Sequence, residues 1–87
     1  MIFVSLGKVK QKPAKETSAQ ATKMIDEMKK RGIKVLSFYW TLGRYDTVLI
    51  FEAASEKDAL KVSIDVAEFV AAETLVAIPR EEAIKLL

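Results

Sequence analysis

The chain contains no cysteine and no histidine in its 87 residues. The first absence removes disulfides and thiolate nucleophiles, the second removes imidazole as a general base, and together they remove every Cys/His zinc pattern. Cysteine usage therefore says nothing about redox compartment. Long apolar runs are missing too. Charges or turn residues interrupt each stretch well before the roughly 20 residues that a membrane-crossing helix needs. The opening Met-Ile-Phe-Val-Ser-Leu lacks the basic leader and the extended apolar core of a signal peptide, and reads as a strand. A soluble, cytoplasmic protein is the expectation.

Hydrophobic residues make up 51% of the chain and charged ones 30%, the balance of a globular protein with a packed core rather than of a disordered segment. The length suits one domain over residues 1–87. A domain this short buries a small share of its surface, and association with further copies is a natural remedy. The net charge of +2 is unevenly spread: residues 1–34 carry nine Lys/Arg against three Asp/Glu, and residues 35–87 carry five against nine. Lys8, Lys10, Lys12 and Lys15, then Lys29, Lys30, Arg31 and Lys34, offer a basic flank to phosphate or an acidic partner. No aromatic residues are interleaved with them for base stacking, so they read as a solvated face, and nucleic acid is not the expected partner.

Ile2 to Val9 has the β-branched and aromatic content of a strand and runs into Lys10-Gln11-Lys12-Pro13. From Pro13 to Arg31, Ala21, Met24, Ile25 and Met28 recur with the period of a helix that buries one stripe. Gly32 stops it. Pro13 suits a first helical position, with Thr17 and Gln20 an alternative capping box a turn later. Ile33–Leu42 and Tyr45–Ala53 read as two strands joined at Gly43-Arg44, where glycine at the first central position favours a two-residue type II′ turn. Ser55 is placed to cap a second helix, with Leu60, Ser63, Ile64 and Ala67 along one side and Val62, Val66 and Phe69 beside them. Thr74 to Ile78 reads as a last strand ended by Pro79, and Arg80 to Leu87 as a short helix carrying Ala83, Ile84 and Leu87.

The order β-α-β-β-α-β predicts an α+β domain of the ferredoxin-like type, a four-stranded antiparallel sheet with two helices on one face. If the hairpin closes on Gly43-Arg44, one face carries Leu36, Phe38, Trp40, Leu42, Tyr45, Thr47, Leu49 and Phe51, and the other Val35, Ser37, Tyr39, Thr41, Asp46, Val48, Ile50 and Glu52. The first belongs under the helices, where Phe38, Trp40 and Phe51 are expected in the core along with Met24 and Met28. The second is too apolar for a wet face. Val35, Tyr39, Val48 and Ile50 left bare would be an aggregation liability, so this face is expected to meet another copy of the chain.

Gly43-Arg44-Tyr45-Asp46, within Thr-Leu-Gly-Arg-Tyr-Asp-Thr-Val-Leu-Ile, resembles the motif that names the GYD family of small proteins, and Ala72-Glu73-Thr74-Leu75 resembles that family's last strand. The element order is similar over nearly the whole chain. A more distant likeness is to the ligand-sensing domains of leucine-responsive, feast/famine regulators, which place a Gly-x-Tyr-Asp turn between two strands. Those domains form dimers and larger assemblies with effector pockets between subunits, although this chain has no room for their helix-turn-helix. The resemblance implies a ferredoxin-like fold and a dimeric α/β-barrel type of assembly. The GYD family carries no assigned activity, so the resemblance leaves function open.

The turn residues have a structural reading, with Gly43 supplying positive φ, Asp46 bonding nearby amides and Tyr45 covering the hairpin end. They also have a functional one. Arg44, Tyr45 and Asp46, with Tyr39 and Glu52, are the candidate ligand-binding residues of a pocket between subunits, Arg44 offering a forked cation to a small carboxylate or phosphate metabolite. Asp46, Glu52 and Glu73 are the carboxylates open to acid–base or hard-cation chemistry, but solvated surface groups are the commoner outcome, and no metal or cofactor is expected. The leading expectation is a homo-oligomeric small-ligand-binding or regulatory module. Its rivals are a cofactor-free enzyme of the dimeric α/β-barrel type, relying on Tyr39, Asp46, Glu52 or Arg44, and a purely structural interaction protein.

Overall fold

A computed structural model describes residues 1–11 and 15–87. The loop residue Lys12 and the expected helix-opening Pro13 lie outside the described residues. Strand β1 (Ile2–Val9) leads to helix α1 (Lys15–Lys30), strands β2 (Lys34–Trp40) and β3 (Thr47–Glu52), helix α2 (Glu56–Val66), strand β4 (Val70–Ala77) and the short helix α3 (Arg80–Ile84). The four strands form one antiparallel sheet in the order β2-β3-β1-β4. The arrangement is α+β and consistent with the ferredoxin-like split β-α-β motif. No helix among the described residues is long and apolar enough to cross a membrane.

Helix α1 ends as its sequence predicts. Gly32, at φ +80°, takes the left-handed conformation that a side chain would resist. Its N–H donates to the Lys29 carbonyl at 3.0 Å and the Ile33 N–H to the Met28 carbonyl at 3.0 Å, the paired bonds of a Schellman motif. Met28 and Ile33, the two ends of that motif, are both buried in the core with Phe3, Leu49, Phe51, Ala53, Ala59 and Val62. Phe3 and Phe51 stack at 5.4 Å between ring centroids. This core occupies the end of the sheet where β1 begins, hereafter the lower end.

Several local expectations are corrected. Thr17 falls inside α1, which has already begun at Lys15, so the helix does not start there. Ser55 holds the N-cap position of α2 but makes no capping bond to the backbone; its hydroxyl donates to the Asp58 carboxylate at 3.4 Å. The buried stripe of α2 is Ala59 and Val62, while Leu60 and Ile64 are both 60% exposed. Phe69 lies beyond that helix, and β4 starts at Val70 rather than Thr74. The last helix stops at Ile84, leaving Leu87 fully exposed.

The sheet faces are corrected as well. The ladder between β2 and β3 pairs Phe38 with Leu49 and Trp40 with Thr47, the register that the Gly43-Arg44 count predicts. Between Val35 and Ser37 it slips by a residue, so Val35 rather than Leu36 stands opposite Phe51. An extra residue reverses the alternation of side chains below it. Val35 therefore packs against the core instead of facing a second copy, and Leu36 is 42% exposed. The bare face keeps Tyr39, Val48 and Ile50 and gains Val4, Leu6 and Leu75 from β1 and β4 by the pairing register.

Candidate functional site: the loop end of the sheet and the cavity beside it

The hairpin is wider than a two-residue turn. Its ladder stops where the Thr41 N–H donates to the Asp46 carbonyl at 2.8 Å, and residues 41–46 form a loop in which the Thr41 hydroxyl donates to the Tyr45 carbonyl at 2.7 Å. Gly43 has φ +108°, the conformation that favours glycine at the loop tip. Leu42, expected beneath the helices, is instead fully exposed.

The loop is fastened to β1 by its acid. The Asp46 N–H donates to the Gly7 carbonyl at 2.8 Å, and the Asp46 Oδ2 accepts the Val9 N–H at 2.8 Å. Tyr45 reaches the other way. Its hydroxyl donates to Glu73 of β4, and Glu73 alternates with Thr74, whose hydroxyl meets Ser63 of α2 at 3.2 Å. Glu73 is thus on the bare face, and Tyr45, expected on the helix face, bridges the end of the bare one. The bond to Glu73 holds the Tyr45 phenol above the usual tyrosine range; desolvation adds to the effect and the charge of Arg44 opposes it. The Arg44 guanidinium stands 5.5 Å from the Tyr45 ring centroid, within reach of a cation–π contact.

Arg44, Tyr45 and Asp46 are therefore gathered at one end of the sheet, with Gly43 beside them. Tyr39 is on the bare face opposite Val48 and is 57% exposed. Glu52 lies at the lower end, opposite Lys34 and Ile2. Six residues of extended chain, about 20 Å, separate it from Asp46. The five residues do not form one constellation.

The feature that the sequence reading missed is a cavity of about 400 Å³ between the sheet and the two long helices, at the upper end beside the loop. Its floor is formed by Ser5, Gly7, Thr47 and Leu49, and its walls include Phe38, Val62, Phe69 and Val70. Glycine fits closely at position 7, because a methyl group at its Cα would require the side chains of Thr47 and Val70 to shift. Trp40, expected in the core, lines this cavity and is 57% exposed. A strand-spaced aromatic normally signals core; Trp40 escapes because it ends an edge strand, above the level at which the helices close on the sheet. Asp65 of α2 also lines the cavity and receives Arg31, the residue after α1, at 3.1 Å and Lys61 from its own helix.

The cavity and the loop share a frame. Gly7 and Val9, which line the cavity, are the two backbone positions that Asp46 holds, so the Gly-Arg-Tyr-Asp segment fixes the cavity's upper wall from outside. No curated protein matches the chain, and the likeness to feast/famine sensor domains finds no confirmation. The family model for the GYD domain matches residues 3–87, which include all of the sheet except Ile2, the Gly43–Asp46 loop and the cavity-lining residues. The chain belongs to the GYD domain family.

Proposed function

We propose that this protein is a homo-oligomeric small-molecule-binding module that takes an apolar molecule with a small polar head into the cavity between sheet and helices. The observation that carries the reading is the cavity itself. It opens to solvent beside the half-exposed Trp40, and its volume of about 400 Å³ falls within the range of small-molecule pockets. Aromatic and aliphatic side chains make up most of its lining, with the hydroxyl-bearing Ser5 and Thr47 on its floor and the charged Lys23, Glu27 and Asp65 on the helices around it. That is the pattern of a site that encloses an apolar body and orients it by a few hydrogen bonds.

Trp40, the only tryptophan, is a built-in reporter. Octanol, octanoate and octyl phosphate share one apolar body and differ in head group. Saturable change of Trp40 emission is expected with octanol, and Ala21→Phe, which fills the cavity from α1, should abolish it while the circular dichroism spectrum stays unchanged. No saturable response to any of the three probes would end this reading.

A second reading places a small carboxylate or phosphate at the loop end, between subunits. It is favoured by Arg44, which forms no ion pair among the described residues. In that case octanoate and octyl phosphate outbind octanol, and Arg44→Ala removes the difference. Self-association is supported by the bare face, where Val4, Leu6, Val48 and Ile50 are only partly covered and Tyr39 and Leu75 are exposed.

A further inference from the structure

The two edges of the sheet are built differently. β2 is blunted by its bulge at Leu36 and begins with Lys34, both devices that discourage pairing with another strand. β4 has neither. It pairs with β1 in unbroken register from Ile2↔Ala77 to Val9↔Val70, and its one charge, Glu73, is bound by Tyr45. An edge that is long, free of bulges and nearly uncharged is a template for a further strand.

Helix α2 adds an apolar overhang above that edge. Ser63 faces Thr74 of β4, Ala59 and Val62 are buried, and Asp65 faces the C-terminal end of α1 through Arg31, the residue after it. At 3.6 residues per turn, the quarter of the helix beyond Ser63 and away from α1 is occupied by Leu60 and Ile64, each 60% exposed. Val76, on the helix side of β4 opposite Phe3, is 56% exposed. Three large apolar side chains thus border an unpaired backbone.

We propose that a second copy of the chain occupies this edge, β4 against β4 in antiparallel register about a two-fold axis at Thr74, extending the sheet from four strands to eight. A two-fold antiparallel pairing keeps both sets of helices on one side and pairs residues of like face. Centring it on Glu73 would oppose two carboxylates, which is destabilising. Centring it on Thr74 sets Glu73 beside the partner's Leu75 and Ala72 beside the partner's Val76. The same axis passes Ser63, because Ser63 and Thr74 are in contact. Leu60, three residues before Ser63, then meets the Ile64–Ala67 stretch of the other copy. Lys57, six residues before, comes level with the partner's Glu68, five after, so charge as well as apolar surface is matched. This interface uses an edge, not the bare face, and it stands or falls independently of the ligand and of face-to-face pairing.

A chain without cysteine makes the register directly testable. Facing Cα atoms in an antiparallel pair are about 4.5–5.5 Å apart, within disulfide reach. Thr74→Cys should give a covalent dimer on mild oxidation. Ala71→Cys and Ala77→Cys, which face each other across the proposed axis, should crosslink when mixed and far less when oxidised separately. Absence of the Thr74 crosslink, or equal crosslinking of Ala71→Cys alone, would overturn the register. Independently, a Leu60→Glu, Ile64→Glu double variant alters only exposed positions and should halve the mass seen by light scattering with its melting temperature kept. Unchanged mass would overturn the interface.

Discussion

The carboxylate of Asp46 accepts the N–H of a residue 37 positions away in the chain, a use that no short motif announces. From sequence, Arg44, Tyr45 and Asp46 are three polar groups of complementary ability beside a turn. In the structure they act separately, since Asp46 fastens β1, Tyr45 bridges to Glu73, and Arg44 lies over the Tyr45 ring. Asp46→Ala removes a charge-assisted bond and leaves the Val9 N–H without its partner, at a cost of about 1–3 kcal/mol. Chemical denaturation should show that loss, with Asp46→Asn intermediate because it keeps one carbonyl oxygen. Since Val9 lines the cavity, octanol binding should weaken in step with stability. If Asp46→Ala unfolds like the parent chain yet loses ligand response or assembly, the acid belongs to a binding site and not to the frame.

At the scale of elements, Asp65 ties helix α2 to Arg31, the residue that follows helix α1. Its carboxyl is held below the usual aspartate range, chiefly by the bond from Lys61 and then by Arg31. A depressed folded-state value means that the contribution to stability is present above the unfolded value near 3.8 and is lost as pH falls through the folded one. Asp65→Asn should therefore melt slightly below the parent at neutral pH, the gap closing in strong acid and narrowing in high salt, because the pair is solvent-exposed. A gap that persists in acid would assign the effect to packing.

Elements were legible in the sequence to the extent that their cause was local. The Gly32 stop of α1 and the span of β1 follow from conformational preference and periodicity alone. The Leu36 bulge was not legible, because a single added residue leaves no mark on composition and yet inverts the lower half of a strand. The same holds for α2, where Leu60 and Ile64 fit a helical stripe as well as Ala59 and Val62 do, and only the position of β4 decides which stripe is covered. The cavity was invisible for a related reason: it arises where the core, filled by Phe3, Phe51 and Met28 at the lower end, gives out before the helices do.

At the scale of the whole molecule, the bare sheet face sets the expectation for behaviour in solution. Each apolar Å² removed from water there contributes roughly 25 cal/mol, so face-to-face pairing through Tyr39, Val48 and Ile50 should hold at micromolar concentration. Light scattering is expected to report a multiple of 9.7 kDa, and Val48→Lys should lower that multiple without loss of helix or strand signal. A stable monomer in the parent protein would mean that the face is solvated.

The strand register carries one more consequence. Ile2 pairs with Ala77, and both lie at the lower end of the sheet, while Gly7, Trp40, Thr47 and the loop lie at the other. Polypeptide added before residue 1 therefore leaves from the end remote from the cavity-lining Gly7, Trp40 and Thr47. A fluorescent protein or an affinity handle fused there should leave octanol binding unchanged, whereas the same cargo inserted at Gly43 would load the loop that holds Gly7 and Val9 in the cavity wall.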